Sequence, residues 1–347
     1  MSESRRDVVV TVAHPGYVHL FKNAIAELKE RGFEVHVFAR EKHETRDLLD
    51  ALDIDYEMLA GEAHTLPQLV KVQAKYEYEI LKRTRRMNSP VLLSAAEPAI
   101  THASTCFDCH SLLFLDTEHD TFQNVLANPF ADVICTPEPY WDDLGSKQVR
   151  YPGNHQLAYL HPNRFEPDPA VLNEIDIDED DRIVVMRLVE WESAHDLGHG
   201  GIGRVEPIIE GLEQAGATVL ISSEVDLPDS LGGRSLDLDP HRVHDLMSYA
   251  DLYLGEGLTM ANESAVLGTP AIYVSSLWTG VSEELSREFG LLSRYDKDPP
   301  PQEVLERATS MLDKDRSTWE SRREDLLEAK IDTTEFIVRA VEKVVDP

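Results

Sequence analysis

The fold is decided by residues 250–270, which read ADLYLGEGLTMANESAVLGTP. A short apolar run comes first, and a turn with glycine at positions 255 and 257 follows it. The next residues have a helical pattern up to Gly268 and Pro270, which are typical helix-ending residues. Another apolar run begins directly afterwards. The stretch therefore predicts a strand, a helix and a second parallel strand.

The same alternation extends outward over the chain. It opens with a β-branched run at residues 8–13, an amphipathic helix that ends near Gly32, and a strand at residues 34–39. We therefore expect an α/β fold of two Rossmann-like doubly wound parallel-sheet domains, residues 1–160 and 161–347, facing a cleft where a ligand binds. Residues 318–345 have a continuous helical pattern, and we expect this terminal helix to pack back on the first domain.

Composition excludes several classes of function. The chain has 347 residues, with 33 Lys+Arg against 64 Asp+Glu and a formal charge of −31. Such an acidic chain does not suit nucleic acid or anionic lipid, and no apolar stretch approaches the ~20 residues of a membrane span. Because the first strand follows a short polar lead, we expect a cytoplasmic protein without a signal peptide. The dispersed acidity is typical of a halophilic cytoplasm.

The turn at positions 255–260 carries the main binding hypothesis. Gly255 and Gly257 allow close backbone approach to a ligand, and the helix that begins near Thr259 and Met260 offers free N–H groups to an anion. Glu263 lies one turn further on the same face, where a carboxylate can bind ribose hydroxyls. The alternative is an ordinary strand–helix turn that requires glycine, with Glu263 a solvated helix residue.

Residues 257–270 resemble the donor-site motif of GT-B glycosyltransferases and of the related UDP-N-acetylglucosamine 2-epimerases. Residues 16–35 and 159–165 are similar to an uncharacterised prokaryotic, largely archaeal, GT-B-like family. The resemblance implies a diphosphate at the glycine turn and a ribose on Glu263. Two departures are Leu258, where glycine is usual, and Glu256, whose charge opposes a diphosphate unless it points away or meets a cation.

Three further segments supply candidate catalytic residues. Glu118 follows a predicted strand and is similar by position to an acid of the epimerase site; the alternative is a polar loop that caps the next helix. His19 is a candidate base for an acceptor hydroxyl, and Gly16, close to it at the end of the first strand, is a candidate nucleotide-sugar-binding residue. Arg187 follows the first strand of the second domain and can clamp a phosphate, while His195 is an acid–base candidate in a glycine-rich loop.

Metal and cofactor chemistry is not expected. The spacing of His195 and His199 suits two metal ligands on a helix, but the surrounding glycines favour a loop. Residues 106–110 match the haem attachment pattern C-x-x-C-H, which requires an exported protein. We instead expect buried reduced thiols at Cys106, Cys109 and Cys135.

The sequence therefore predicts a GT-B-like glycosyltransferase that uses a UDP-sugar or similar donor and an acceptor of unknown nature. An epimerase of the UDP-N-acetylglucosamine type, using Glu118 and His195 for proton transfer, is the first alternative. A non-catalytic sugar-nucleotide-binding protein is the second. The oligomeric state stays open, with a homodimer among the options.

Overall fold

A computed structural model describes residues 6–42, 45–62, 65–119, 121–178, 180–189, 202, 204–223, 227 and 229–345. The chain forms two compact units, residues 1–164 with 331–347, and residues 165–330. The strands are β1 Asp7–Val12, β2 Glu34–Arg40, β3 Glu57–Ala60, β4 Val91–Ser94, β5 His110–Phe114, β6 Val133–Pro137, β7 Gln148–Tyr151, β8 Arg182–Leu188, β9 Ala217–Ser223, β10 Leu252–Gly255, β11 Ala271–Val274 and β12 Leu292–Tyr295. The helices are α1 Pro15–Glu30, α2 Thr45–Ala51, α3 Leu66–Thr84, α4 Pro98–Cys106, α5 Thr121–Ala127, α6 Ala170–Glu174, α7 Glu206–Gln214, α8 Val243–Tyr249, α9 Leu258–Leu267, α10 Gly280–Arg287, α11 Pro301–Leu312, α12 Arg316–Ala329 and α13 Thr333–Val345.

The first unit contains a parallel seven-stranded sheet in the order β3-β2-β1-β4-β5-β6-β7. Strand β1, inside the sheet, pairs with β2 and β4, and Val8, Val9 and Val10 are almost fully buried there. Helix α1 packs its apolar face on the sheet, with Phe21 in edge contact with Phe114 of β5. Because all seven strands are parallel, their carboxyl ends lie along one side of the sheet, here called its carboxyl edge, and their amino ends lie along the amino edge. Every loop that follows a strand begins at the carboxyl edge.

The second unit contains a parallel five-stranded sheet in the order β12-β11-β10-β8-β9. Strand β10 lies between β8 and β11, which makes it the third strand from either edge. Reversal of strand order beside β10 creates the kind of switch point where open α/β sheets bind ligands. Together the two sheets confirm the predicted architecture of two Rossmann-like parallel-sheet units.

The C-terminal stretch corrects one expectation. Instead of one helix over residues 318–345, the chain forms α12 in the second unit and α13 in the first. The break lies at residues 330–332, where Asp332 accepts the amide of Thr334 and so caps α13. Arg164 pairs with the same aspartate at 2.6 Å. Helix α13 is thus held in the first unit by polar contacts as well as by its apolar face.

Two remaining expectations concern membranes and thiols. Among the described residues, no helix combines the length and the apolar character needed to cross a membrane. All three cysteines are free thiols, but Cys106 is exposed, whereas Cys109 and Cys135 are buried. The expectation of three buried thiols was therefore wrong for Cys106, which is the last residue of α4 and faces solvent.

Candidate functional site

The glycine turn of the second unit connects β10 to α9, as the sequence predicts. Gly255 pairs with Arg187 in the ladder between β10 and β8. A Cβ atom at Gly255 would lie 2.6 Å from Tyr253 Oη and 2.8 Å from the Arg187 carbonyl oxygen. At Gly257, the nearest contact would be looser, at 3.3 Å from Tyr253 Oη. Glycine is therefore required at position 255 by packing within the turn itself.

Helix α9 begins at this turn with its amide groups available. Gly257 occupies the N-cap position without a side-chain cap, and the first turn carries no acidic residue. Among the described residues, the amides of Leu258, Thr259 and Met260 have no hydrogen-bond acceptor. Thr259 is exposed. Unpaired amides and the positive end of the helix dipole together make this turn suitable for an anion.

Glu256, the residue that seemed unfavourable for a diphosphate, is bonded to backbone amides outside α9. One carboxylate oxygen accepts the amide of Val189 at 2.9 Å, and the other accepts the amide of Ile202 at 2.5 Å. The side chain is buried, with 7% exposed. Because both oxygens are bonded to backbone N–H groups, this carboxylate stabilises the ends of the connection between β8 and α7. The two amides partly offset its charge, and none of its described bonds is made to the first turn of α9.

An arginine and a tryptophan, Arg187 and Trp278, also lie at the carboxyl edge of this sheet. Arg187 is half-buried at the end of β8 and donates to Ser222 Oγ at 2.6 Å. Trp278, which the sequence reasoning missed, follows β11; its ring stacks on Tyr273 with centroids 6.0 Å apart, and the Arg294 guanidinium lies 4.9 Å from its centroid. Its position could have been predicted, because Trp278 follows the apolar run of β11 within a few residues and therefore lies at the carboxyl edge.

Glu263 lies in the second turn of α9 and is 5% exposed. Its carboxylate lies 3.0 Å from His244 Nε2 on α8, and His244 is also buried. The alternative of a solvated helix residue is therefore wrong. A buried carboxylate held by a histidine has a fixed orientation, which a ribose-binding group needs.

In the first unit, acid–base side chains follow neighbouring strands at the carboxyl edge of the sheet. Glu118 lies in the turn after β5 and is 8% exposed, and its Oε1 accepts the amide of Trp141 at 3.1 Å. This bond ties the loop after β5 to the loop after β6. Through this oxygen Glu118 bonds to Trp141 and does not cap α5. Its carboxylate lies after β5, at the carboxyl edge of the sheet, as the sequence predicts.

The best-defined pair at this edge was missed by the sequence reasoning. Asp116 Oδ2 lies 3.1 Å from Nδ1 of His155, which follows β7. Burial disfavours the charge of Asp116, but the charge and hydrogen bond of His155 and a bond from Thr117 keep the pKa of Asp116 below its usual range. His155 is 6% exposed, and its Nε2 has no hydrogen-bond partner among the described residues. A histidine oriented by an aspartate, with its second nitrogen unpaired, is suited to proton transfer.

Glu97 is a second missed residue. It follows β4 and Ala96, whose φ of 53° is unusual for a residue other than glycine. Glu97 accepts from Gln73 Nε2 at 2.8 Å, and Gln73 in turn accepts from Arg40 at 2.6 Å. Burial outweighs these contacts and raises the pKa of Glu97. A strained backbone next to a buried acid with a raised pKa is typical of functional sites.

The remaining predicted residues are placed as follows. Gly16 lies in the first turn of α1 and donates its amide to His14 Nδ1 at 3.2 Å, so His14 is the N-cap of that helix. His19 is half-buried on α1 and stacks on Tyr159, with centroids 5.2 Å apart. His195 lies outside the described residues. The described part of the chain has one group of three possible metal ligands, Asp7, Glu34 and His36, at the opposite, amino edge of the first sheet.

The two sheets and the glycine turn identify the fold class of the protein. Two Rossmann-like parallel-sheet units, with a glycine turn in the second, match the GT-B architecture. A UDP-GlcNAc 2-epimerase from Methanocaldococcus jannaschii superposes with a TM-score of 0.68 at 14% identity, covering 98% of this chain and 99% of that one. For S. aureus MnaA in its co-structure with UDP, the TM-score is 0.69 at 12% identity, with coverage of 98% and 97%. The calicheamicin glycosyltransferase CalG4 gives 0.58 at 15%, with coverage of 99% and 100%.

The family follows from the sequence match. A family described as "Protein of unknown function (DUF354)" matches residues 6–283, and the chain belongs to it. An uncharacterized protein from Methanocaldococcus jannaschii is 21% identical over 278 residues, which cover 77% of this chain and 81% of that protein. The likeness to the solved structures, all under 25% identical, establishes the fold.

Proposed function

We propose that the protein is a glycosyltransferase that uses a nucleoside-diphosphate sugar, with UDP as the carrier. The observation that carries this proposal is the unpaired N-terminus of α9. The carboxylate of Glu256 is bonded to the amides of Val189 and Ile202, so it does not occupy the first-turn amides of α9. A diphosphate would accept hydrogen bonds from the amides of the first turn of α9.

The rest of the donor is assigned to neighbouring groups of the second unit. Arg187 lies near the end of β8, the strand beside β10, and its guanidinium is suited to the negative charge that builds up on the diphosphate leaving group. Glu263, oriented by His244, is assigned the ribose hydroxyls. Gly257, Thr259 and Met260 supply the backbone of the phosphate site. The UDP bound to S. aureus MnaA, which shares the fold, supports the choice of carrier.

Proton transfer is assigned to the first unit. We assign His155 as the base. Its Nε2, which is buried and unpaired in this structure, would accept the proton of an acceptor hydroxyl that reaches it, as the hydroxyl oxygen attacks the anomeric carbon and UDP leaves with the bonding electron pair. Asp116 stabilises the imidazolium that forms and fixes the ring through Nδ1. This pair replaces His19 as the preferred base, because the His19 ring is stacked on Tyr159. Glu118 and His195 remain candidates from the sequence.

An epimerase is the second candidate, and one observation favours it. Glu97 and Glu118 follow adjacent strands of the first sheet, and burial raises the pKa of Glu97. Two buried carboxyl groups at the ends of adjacent strands, one of them with a raised pKa, would serve to remove a proton from one face of a sugar carbon and to return one to the other.

Two assays separate these functions. UDP-N-acetylglucosamine is incubated with the full-length protein, and the products are followed by NMR with and without a panel of acceptor sugars. Transferase activity predicts UDP release that depends on the acceptor. Formation of the manno epimer without acceptor would instead establish the epimerase, and binding without turnover in either condition would contradict both enzymes.

The role of Glu263 is tested by comparing UDP with a 2′,3′-dideoxy analogue by calorimetry. Wild type should bind UDP about tenfold or more tightly than the analogue, since each lost charge-assisted hydrogen bond costs about 1.5–3 kcal/mol. The Glu263→Ala variant should bind both ligands alike. If the variant retains the full preference for UDP, then Glu263 does not bind the ribose.

A further inference from the structure

A cavity lies at the amino edge of the second sheet, opposite the glycine turn. It has a volume of about 250 Å³ and is lined by the residues that precede β10 and β11, by the end of α11 and by the first two turns of α12. Helix α9 runs from the glycine turn at one edge to Gly268, which lines this cavity at the other. The cavity is therefore separated from the proposed donor site by the length of a helix.

Three cations line this cavity: Lys314 and Arg316 are exposed, and Arg323 is half-buried in the wall. Among the described residues, neither Lys314 nor Arg323 forms an ion pair with a carboxylate, and the Lys314 ammonium lies 5.0 Å from the centroid of the Trp319 ring. Arg316 has one distant pair, with Glu320 at 3.7 Å. These three side chains therefore keep donors that no acid of the described chain uses.

The lining of the cavity has an excess of positive charge. The whole chain has 64 acidic against 33 basic residues, whereas the cavity has these three cations and two carboxylates, Asp251 and Glu320. Asp251 accepts the amide of Ile183 at 2.8 Å, and Glu320 is the distant partner of Arg316. Unpaired cations that line a concave site leave a local positive field in an otherwise negative protein.

A structural role accounts for only part of the arrangement. Arg323 donates Nε to the Val266 carbonyl at the end of α9, and Arg316 donates Nη2 to the Ser248 carbonyl near the end of α8. Each guanidinium has further N–H groups that no described residue accepts. Lys314 makes no such helix-capping bond. Burial, together with the charges of Arg322 and Arg307, lowers the pKa of Lys314, and burial lowers that of Arg323, as expected where no acid compensates the charge.

We propose that this cavity binds the phosphoryl group of a small phosphorylated metabolite, a phosphate monoester of about the size of a sugar phosphate. Lys314, Arg316 and Arg323 would hold the phosphate, which is the ligand that an Arg fork and a Lys point charge suit best. The volume is slightly below the ~300–1,000 Å³ typical of drug-sized ligands, so a nucleotide is too large. The walls at Leu267 and Leu312 are apolar and would contact the organic part.

Calorimetry on the full-length protein at a fixed KCl concentration tests this site. Glucose 6-phosphate, inorganic phosphate and glucose are the probes. We expect glucose 6-phosphate to bind more tightly than phosphate, and glucose not to bind. Saturating UDP should leave this binding unchanged, since the two sites lie at opposite edges of the sheet.

Lys314→Gln and Arg316→Gln should each weaken glucose 6-phosphate about tenfold, the effect of one lost charge-assisted contact. Lys71→Gln, which removes the same charge from an exposed position on α3 in the first unit, is the matched control and should not weaken it. No binding of either anion, displacement by UDP, or equal weakening by Lys71→Gln would overturn the proposal. Equal affinity for phosphate and glucose 6-phosphate would overturn the metabolite as ligand.

Discussion

The acidic side chains at the carboxyl edges of the two sheets have different hydrogen-bond partners. In the second unit, Glu256 is bonded to two backbone amides and Glu263 is held by His244, while the first-turn amides of α9 stay unpaired. In the first unit, the Asp116–His155 pair leaves an imidazole nitrogen unpaired. One edge thus offers donors and the other offers a proton acceptor.

This difference assigns separate tasks to two units of the same architecture. Unpaired first-turn amides of α9, next to a Glu256 carboxylate that is bonded elsewhere, suit the binding of an anion. A histidine oriented by an aspartate suits the transfer of a proton. If the assignment is correct, variants of the first unit should affect turnover with little change in donor affinity. Variants of the second unit should lower donor affinity with little change in turnover.

The largest effect is expected from the first unit. Asp116→Asn removes the charge that orients and stabilises His155, and His155→Gln removes the base itself. Both should lower kcat by about 10²- to 10⁴-fold, the usual contribution of a positioned base, with UDP affinity unchanged. Asp7→Asn is the matched control, because it breaks a similar pair, with His36 at 2.9 Å, at the amino edge of the same sheet. Equal losses in all three variants would contradict the catalytic assignment.

Gly255→Ala should cause the next largest effect, this time in the second unit. The new Cβ would lie 2.8 Å from a backbone carbonyl oxygen, which cannot move aside as a flexible side chain can. We expect the free energy of unfolding to fall by about 3 kcal/mol and UDP binding to be lost. Gly233→Ala is the control, since no atom lies within 4 Å of its Cβ position. Urea unfolding measures both, and equal stability of the two variants would refute the packing argument.

Glu256→Gln tests whether the bonded carboxylate matters. The amide side chain accepts only one of the two N–H groups and directs its own NH₂ at the other, so we expect about 2 kcal/mol of lost stability and weaker UDP binding. Glu320→Gln, on an exposed acid of the same unit, should change stability by no more than about 0.5 kcal/mol. Tighter UDP binding in Glu256→Gln would show that the charge of Glu256 still opposes the diphosphate.

The smallest effect is the pH dependence of stability that Asp116 contributes. Its pKa is lower in the folded chain than the ~3.9 of an unfolded one, so its contribution is complete above that value and is lost as pH falls through the folded pKa. The difference in unfolding free energy between wild type and Asp116→Asn should therefore shrink as pH falls below about 4. A difference that stays constant down to pH 2.5 would contradict the lowered pKa.

Local sequence patterns predicted much of the fold and of the donor turn. The β-branched run of β1 and the turn between β10 and α9 show their structure in consecutive residues, because strand burial, glycine turns and helix stops are local signals. The family resemblance rested on the same residues.

Pairs formed across the chain were not predictable in this way. The partners of Glu256 are 67 and 54 residues away in sequence, so its orientation depends on the packing of β8 beside β10. His155 follows β7, Gln148–Tyr151, a short polar edge strand without the apolar run that marks the others. The break between α12 and α13 was hidden for a similar reason, since the helical pattern continues across the point where the chain returns to the first unit.

Hydrogen–deuterium exchange of the full-length protein with and without saturating UDP tests the central claim most directly. If the diphosphate binds at the N-terminus of α9, exchange at the amides of Leu258, Thr259 and Met260 should slow, while exchange in peptides from the cavity at the amino edge of this sheet, around residues 311–319, should not change. Unchanged exchange at these three amides, in a sample where calorimetry shows UDP bound, would contradict the account.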